Sequence, residues 1–128
     1  MIVDRWTASG QWDRSFGSEG VGRLDLAKED DRARNVIALA DGRILAVGSG
    51  KLNATNVDSM IVLWSGDGKI NPEFGTSGYI LSDLGGPADA WYGIAVSPDG
   101  KYAIAAGYKG TDATSGGNDD SFLAKINL

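Results

Sequence analysis

The side chains best suited to chemistry in this chain lie in one oxygen-rich loop, residues 110–120. Ca²⁺ takes about 6–8 oxygen ligands, and a loop of this composition can supply them. The loop has neither the EF-hand spacing nor a glutamate, and the corresponding stretch 50–58 carries only one acidic residue. The alternative is a solvated linker between strands, in which case adding Ca²⁺ leaves the melting curve unchanged, and this is the outcome we expect. The candidate ligands are Asp112, Asn118, Asp119 and Asp120.

Two tryptophans, Trp12 and Trp91, form a second candidate site. Exposed aromatic rings can stack on sugars, and Asp13, Arg14 and Asp89 are polar neighbours that could orient a glycan. The alternative is burial in the core, which is the commoner environment of tryptophan.

The chain has few of the residue types that enzymes use for catalysis. The chain has no cysteine and no histidine, so it lacks thiolate nucleophiles, zinc-thiolate sites and the commonest general base. Asp41 and Asp99, like Asp25 and Asp83, could be paired carboxylates for acid–base catalysis, but aspartates next to glycine more often cap turns. We therefore predict no catalytic residues, no cofactor and no enzymatic activity.

The charge and hydropathy of the chain exclude two classes of partner. The net charge is −5, and residues 59–128 hold 8 acidic against 4 basic residues. An acidic chain with no basic stripe is unsuited to nucleic acid or to an anionic membrane surface. No apolar stretch approaches the roughly 18 residues of a membrane span, and the first residues have no apolar core of the signal-peptide kind.

Short strands must position these side chains. The chain contains many brief runs of β-branched and aromatic residues bounded by glycine, aspartate, asparagine or proline, which is the pattern of strands joined by tight turns. The charged stretch 26–34 and its counterpart 85–89 are predicted to be loops, because a Gly-Gly-Pro run cannot lie inside a helix. The predicted strands are Ile2–Thr7, Val21–Leu26, Asn35–Ala40, Arg43–Gly48, Ser59–Ser65, Tyr79–Leu84, Trp91–Ser97, Lys101–Tyr108 and Ser121–Asn127.

The sequence also contains an internal repeat. Residues 2–42 align with residues 60–100 at an offset of 58 and share ten identities in 41 positions. Such a period is typical of arrays in which each unit buries its apolar face against a neighbour. We predict a single domain, residues 1–128, made of two units at about 2–58 and 60–119 and the start of a third at 120–128.

The predicted architecture is all-β, with propeller-type blades. Four antiparallel strands per unit give two four-stranded blades and one extra strand, either the first or the last. A propeller needs about 4–8 blades, so we expect further units in a longer parent chain, or a homo-oligomer, to complete it. The alternative is a β-sandwich, which explains the strands but not the repeat. The side chains expected to be buried between sheets are Trp6, Phe16, Trp64, Phe74, Ile94, Val96 and Ile104.

Two segments resemble a known family. Residues 63–78 and the hairpin at 94–107 are similar to the bacterial delta-60 repeat, which combines an Asp-Gly turn, a Phe-Gly-x-x-Gly motif and an Asp-Gly-Lys hairpin. The first unit matches through Phe16-Gly17, Gly20 and Asp41-Gly42, while Trp6 and Trp64 stand where the family usually has leucine. The resemblance implies a β-propeller in an exported or surface-attached bacterial protein, with no established reaction.

Together these observations predict a non-enzymatic propeller module with a structural, protein-interaction or adhesion role. Its extracellular or cell-surface location rests on the resemblance alone. The alternative is a carbohydrate-binding, lectin-like propeller. Expected partners are therefore a protein or a glycan, besides the further repeats or copies that complete the ring, and do not include nucleic acid or membrane.

Overall fold

The computed structural model of the chain describes residues 1–53, 55–110 and 119–128. In these residues the chain forms nine strands and no helix, so the all-β prediction is confirmed, and each predicted strand overlaps an observed one. The strands are β1 (Ile2–Asp4), β2 (Val21–Arg23), β3 (Arg32–Ala38), β4 (Ile44–Asn53), β5 (Asn56–Trp64), β6 (Tyr79–Ser82), β7 (Asp89–Val96), β8 (Tyr102–Lys109) and β9 (Asp120–Asn127).

The strands form three antiparallel sheets, β1-β2, β3-β4-β5-β6 and β7-β8-β9. Within each sheet every strand pairs with its neighbour in sequence. The connections at 39–43 and 97–101 are tight turns, whereas the longer segments 5–20 and 65–78 contain the two Phe-Gly turns. The turn between β3 and β4 is typical: Leu39 N donates to Arg43 O at 2.8 Å, and Gly42 takes a φ of 88° that favours glycine.

This grouping differs from the predicted two blades of four strands with one spare. The described strands divide as two, four and three, and the four-stranded sheet takes β3 and β4 from the first sequence unit and β5 and β6 from the second. The difference arises because the chain passes from one sheet to the next inside a unit, through the loops before β3 and β7.

The four-stranded sheet is the centre of the molecule and is buried on both faces. On one face Leu45 and Leu63 belong to a core shared with Trp91 of β7. On the other face Ala46 and Trp64 belong to a second core, shared with residues near β1 and β2. Residues 60–64 are apolar at successive positions, which is typical of a strand that lies between two other layers, and the two cores lie on either side of this strand.

Two burial predictions were wrong. Phe16, Phe74 and Trp64 are buried, but Trp6 is 60% exposed and Ile104 is 36% exposed. Trp6 follows the end of β1 and pairs with Trp12 in a hairpin at the surface. Ile104 lies in β8, on the outer face of the three-stranded sheet, which no other sheet among the described residues covers. Ile94 and Val96 are partly buried against the first core.

The backbone takes the same local path at positions 58 residues apart. Gly17 and Gly75 have φ values of 59° and 57°, and Gly20 and Gly78 have values of 92° and 96°. The peptide of Phe16 donates to Asp13 O at 3.2 Å, and that of Phe74 donates to Asn71 O at 3.1 Å. Positive φ values at glycine are what let both Phe-Gly turns fold alike.

Candidate functional site

Three carboxylates meet where the central sheet adjoins the three-stranded sheet. Asp58 lies near the start of β5, Asp83 directly follows β6, and Asp89 begins β7. An isolated parallel bridge between Val57 and Ala88 brings the start of β5 beside the start of β7. One oxygen from each carboxylate lies within 4.8 Å of the others.

The loop between β6 and β7 folds around these side chains. Asp89 Oδ2 accepts the backbone N–H of Leu84 at 2.8 Å, and Asp83 Oδ1 accepts that of Gly85 at 2.7 Å. A Cβ at Gly86 would overlap the carbonyl oxygen of Gly110 and lie 2.8 Å from Asp89 Oδ1. Glycine is therefore required for this close approach, which keeps the Asp89 carboxylate under the loop.

The cluster is strongly acidic. Asp89 is 0% exposed, and its Oδ1 has no hydrogen-bond partner among the described residues. Burial, and secondarily the charges of Asp83 and Asp89, raises the pKa of the Asp58 carboxyl. Asp58 Oδ1 accepts Asn56 Nδ2 at 2.7 Å. None of the ion pairs in the described parts of the chain involves these carboxylates, although Lys109 Nζ lies near Gly85. The arrangement is suited to holding a hard cation or a shared proton.

Of the predicted Ca²⁺ ligands, Asp119 and Asp120 are not part of this cluster. Asp112 and Asn118 lie outside the described residues. Asp119 and Asp120 are exposed, and Asp120 pairs with Lys109 at the start of β9.

The two candidate sugar-stacking tryptophans lie in different environments. Trp91 is 2% exposed and packs against Phe122 with ring centroids 4.2 Å apart, so its faces are in the core and cannot stack on a sugar. Trp12 is 44% exposed, its Nε1 donates to Gly20 O at 3.2 Å, and the Arg14 guanidinium lies 5.7 Å from its ring. Asp13, its other neighbour, is held by Arg5 at 2.8 Å.

The aspartates of the tight turns cap those turns. Asp41 Oδ1 accepts the N–H of Arg43 at 3.1 Å, and Asp99 Oδ1 accepts that of Lys101 at 3.2 Å. These hydrogen bonds lower the pKa of both carboxyls, and for Asp99 the largest cause is the hydroxyl of Ser97. Asp83 accepts the same kind of backbone hydrogen bond, from Gly85. Of the four aspartates considered for acid–base catalysis, it is the one that also lies in a cluster of carboxylates within the described residues.

Sequence reasoning missed the cluster as a unit. Asp31 and Asp89 are one of the ten identities at offset 58, which signals a buried structural aspartate in both loops. Asp58 gave no such signal, because the residue 58 positions later is Gly116. Its approach to Asp89 depends on the bridge between Val57 and Ala88, which joins segments far apart in sequence.

A concavity of about 1040 Å³ lies on the outer face of the three-stranded sheet. Its lining includes Tyr92, Tyr108, Asp119, Phe122 and Leu123. The rings of Tyr92 and Tyr108 are 5.5 Å apart. This surface is apolar and aromatic, and it is separate from the carboxylate cluster.

Comparison of the chain with protein-family models, with curated proteins and with solved structures found no match. Among the described residues, no helix is both long enough and apolar enough to cross a membrane.

Proposed function

We propose that this chain is a non-enzymatic section of a β-propeller, with a structural or protein-interaction role in an exported or surface-attached bacterial protein. The observation that carries the proposal is the central sheet, whose two faces are buried by a sheet on either side. A blade inside a propeller is covered in this way. A two-layer sandwich leaves one face of each sheet to solvent.

The local geometry repeated at an offset of 58 supports the same reading. Phe16 and Phe74 are both buried beside glycines of nearly equal φ, so each unit contributes an equivalent turn. Ring-shaped arrays are built from such equivalent units, each of which contacts its neighbours. The resemblance to the delta-60 repeat, seen in the Phe-Gly-x-x-Gly and Asp-Gly-Lys segments, supplies the expected setting in an exported protein.

The three-stranded sheet and β3, the edge strand of the central sheet, carry apolar side chains in solvent. Leu123 on β9 is 73% exposed and Val36 on β3 is 57% exposed. Leu123 lines one concavity with Tyr92, Tyr108 and Phe122, and a contiguous apolar surface of this kind marks a place that another protein surface covers. In the proposed propeller, adjoining blades cover them.

Lengthening the array tests this proposal. Inserting a second copy of residues 60–119 after residue 119 should raise the midpoint of chemical denaturation and lower the binding of a dye for apolar surface per unit. Both effects follow because each added unit gains a neighbour interface. A matched control inserts a Gly/Ser segment of equal length at the same place.

The proposal fails if the single chain is a monomer across micromolar concentrations with no dye-detectable apolar surface. It also fails if the inserted unit changes stability no more than the Gly/Ser segment does. Either result favours a self-contained β-sandwich.

A carbohydrate-binding propeller is the second candidate, favoured by the partly open ring of Trp12 with Arg14 beside it. A glycan array of the wild-type chain tests it, with Trp12→Ala as the variant and the exposed Trp6→Ala as the control. Binding that Trp12→Ala abolishes and Trp6→Ala preserves would favour the lectin reading. The absence of any glycan signal in the wild type would rule it out for the sugars on the array.

A further inference from the structure

We propose that Asp58, Asp83 and Asp89 form a binding site for a divalent cation of the Ca²⁺ class. The three residues come from the start of β5, the end of β6 and the start of β7, and one oxygen of each lies within 4.8 Å of the others. None of these three aspartates is among the ligands predicted for the loop at 110–120, and the site does not depend on the propeller proposal.

An independent observation separates this cluster from an ordinary acidic patch. Asp89 is 0% exposed, and its Oδ1 has no partner among the described residues. A buried carboxylate oxygen without a hydrogen bond is costly, and one that also faces further carboxylates is more so. A cation beside Asp89 would supply both the missing partner and the missing charge.

The equivalent aspartate of the first unit, Asp31, has a similar setting without the neighbouring carboxylates. Asp31 Oδ2 accepts the N–H of Leu26 at 2.8 Å, as Asp89 Oδ2 accepts that of Leu84, and its Oδ1 is likewise without a partner among the described residues. In the described part of the chain Asp31 belongs to no group of three close carboxylates, whereas Asp89 faces Asp58 and Asp83. Asp31 is therefore the natural control for the carboxylate cluster.

The chemistry of the donors favours Ca²⁺. Carboxylate oxygens are the ligands of hard cations, and Ca²⁺ binds oxygens at about 2.3–2.6 Å, so two of its ligands can stand up to about 5 Å apart. Mg²⁺ needs about 2.0–2.1 Å and near-ideal octahedral geometry, which demands a tighter cluster. The carbonyl oxygen of Gly110 approaches the same loop and is a further oxygen near Asp89.

The position of the site predicts its role. The cluster joins the central sheet, through Asp58 and Asp83, to the first strand of the next sheet, through Asp89. A cation held there would tie the two sheets together. Because it would bind only the folded chain, it would raise the melting temperature.

Two measurements test the proposal on the full chain. After treatment with a chelator, titration with Ca²⁺ should raise the melting temperature in a saturable manner, and Mg²⁺ at equal concentration should raise it less. Tb³⁺, a luminescent substitute for Ca²⁺, should emit when tryptophan is excited, since Trp91 lies two residues from Asp89. Ca²⁺ should displace it.

Variants assign the signal to the cluster. Asp83 is exposed, so Asp83→Asn should fold normally and weaken Tb³⁺ binding by at least about tenfold, the loss that even outer-shell changes cause. Asp89→Asn should abolish binding. Asp31→Asn, the matched control in the other unit, and the double variant Asp119→Asn with Asp120→Asn should both leave binding unchanged.

The proposal is overturned if millimolar Ca²⁺ leaves the melting temperature unchanged. It is also overturned if Asp83→Asn binds Tb³⁺ as the wild type does, or if the Asp119 and Asp120 double variant is the one that loses binding. The last of these outcomes would assign the metal to the 110–120 loop.

Discussion

Trp6 and Trp64 occupy corresponding positions in the two sequence units but lie in opposite environments. Each forms a bridge to the residue six positions later, Trp12 in one case and Ile70 in the other. Yet Trp6 is 60% exposed and Trp64 is 0% exposed. The comparison teaches that the local path of the chain follows from local sequence, whereas burial depends on which sheet lies alongside.

The neighbouring sheet explains the difference. Trp64 ends β5 in the central sheet and packs in the core that also contains Met1 and Leu26, near β1 and β2. Trp6 follows β1 in the two-stranded sheet, where its indole donates to Asp4 at 3.3 Å and stays in solvent. In the proposed propeller, an adjoining blade on that side would be the equivalent cover.

The largest expected effect is the loss of Trp64. Trp64→Ala should lower the free energy of unfolding by about 3–5 kcal/mol through lost burial and a cavity. Trp6→Ala should change it by no more than about 0.5 kcal/mol, as expected of surface sites. Chemical denaturation of both variants measures the contrast, and equal losses would show that the two positions are not distinguished by packing.

The second contrast concerns the Phe-Gly turns, where the two units should respond alike. A Cβ at Gly17 would overlap the carbonyl oxygen of Val21, and one at Gly75 would overlap that of Tyr79. Gly17→Ala and Gly75→Ala should therefore each cost more than the roughly 1–2 kcal/mol of a left-handed alanine.

Gly10→Ala is the control for this pair, because Gly10 has a φ of 76° but nothing within 4 Å of an added Cβ. It should show the backbone strain alone. If Gly17→Ala and Gly75→Ala cost no more than Gly10→Ala in denaturation experiments, the turns relax and the tight geometry is not required.

The smallest effect is a dependence on pH at the carboxylate cluster. Burial raises the pKa of Asp58 in the folded chain above its ordinary value of about 3.8. With a chelator present, the protonated carboxyl therefore favours the folded state at pH values below 3.8. This contribution to stability should be lost as the pH rises through the raised pKa of the folded chain. Its charged neighbours there are Asp83 and Asp89. Asp58→Asn should remove this loss, as measured by melting temperature against pH.

Asp41 is a control whose effect on stability should change with pH in the opposite direction, because the hydrogen bond from the backbone N–H of Arg43 lowers its pKa. Its contribution is present above the ordinary pKa and is lost as the pH falls, so Asp41→Asn should matter at neutral pH and not in acid. A wild-type profile that Asp58→Asn leaves unchanged would show that another group titrates.

The strands and turns were predictable because their signals are local. Asp41-Gly42 and Asp99-Gly100 mark hairpins by residue type alone, and Met60–Trp64 is apolar at successive positions, which indicates burial on both faces. The division into sheets of two, four and three strands was not predictable from these signals. It depends on where the chain leaves one sheet, at the loops before Arg32 and Asp89.

The carboxylate cluster was not predictable for a related reason. Asp89 was visible as the partner of Asp31 at the fixed offset, but Asp58 meets it only through the bridge between Val57 and Ala88. The exposure of Ile104 has the same origin. Its strand was predicted correctly, but whether the side chain is covered depends on which sheet packs against that face.

The offset between sequence units and sheets bears on how such a gene could change length. Since the central sheet takes two strands from each unit, no cut between units leaves a sheet whole. Excising or inserting 58 codons from a point within residues 2–42 would instead join corresponding positions of the two units, so that a strand of one sheet is followed by the strand that comes next in the other. Unequal crossing-over in the gene would thus add or remove one unit without interrupting the order in which neighbouring strands pair.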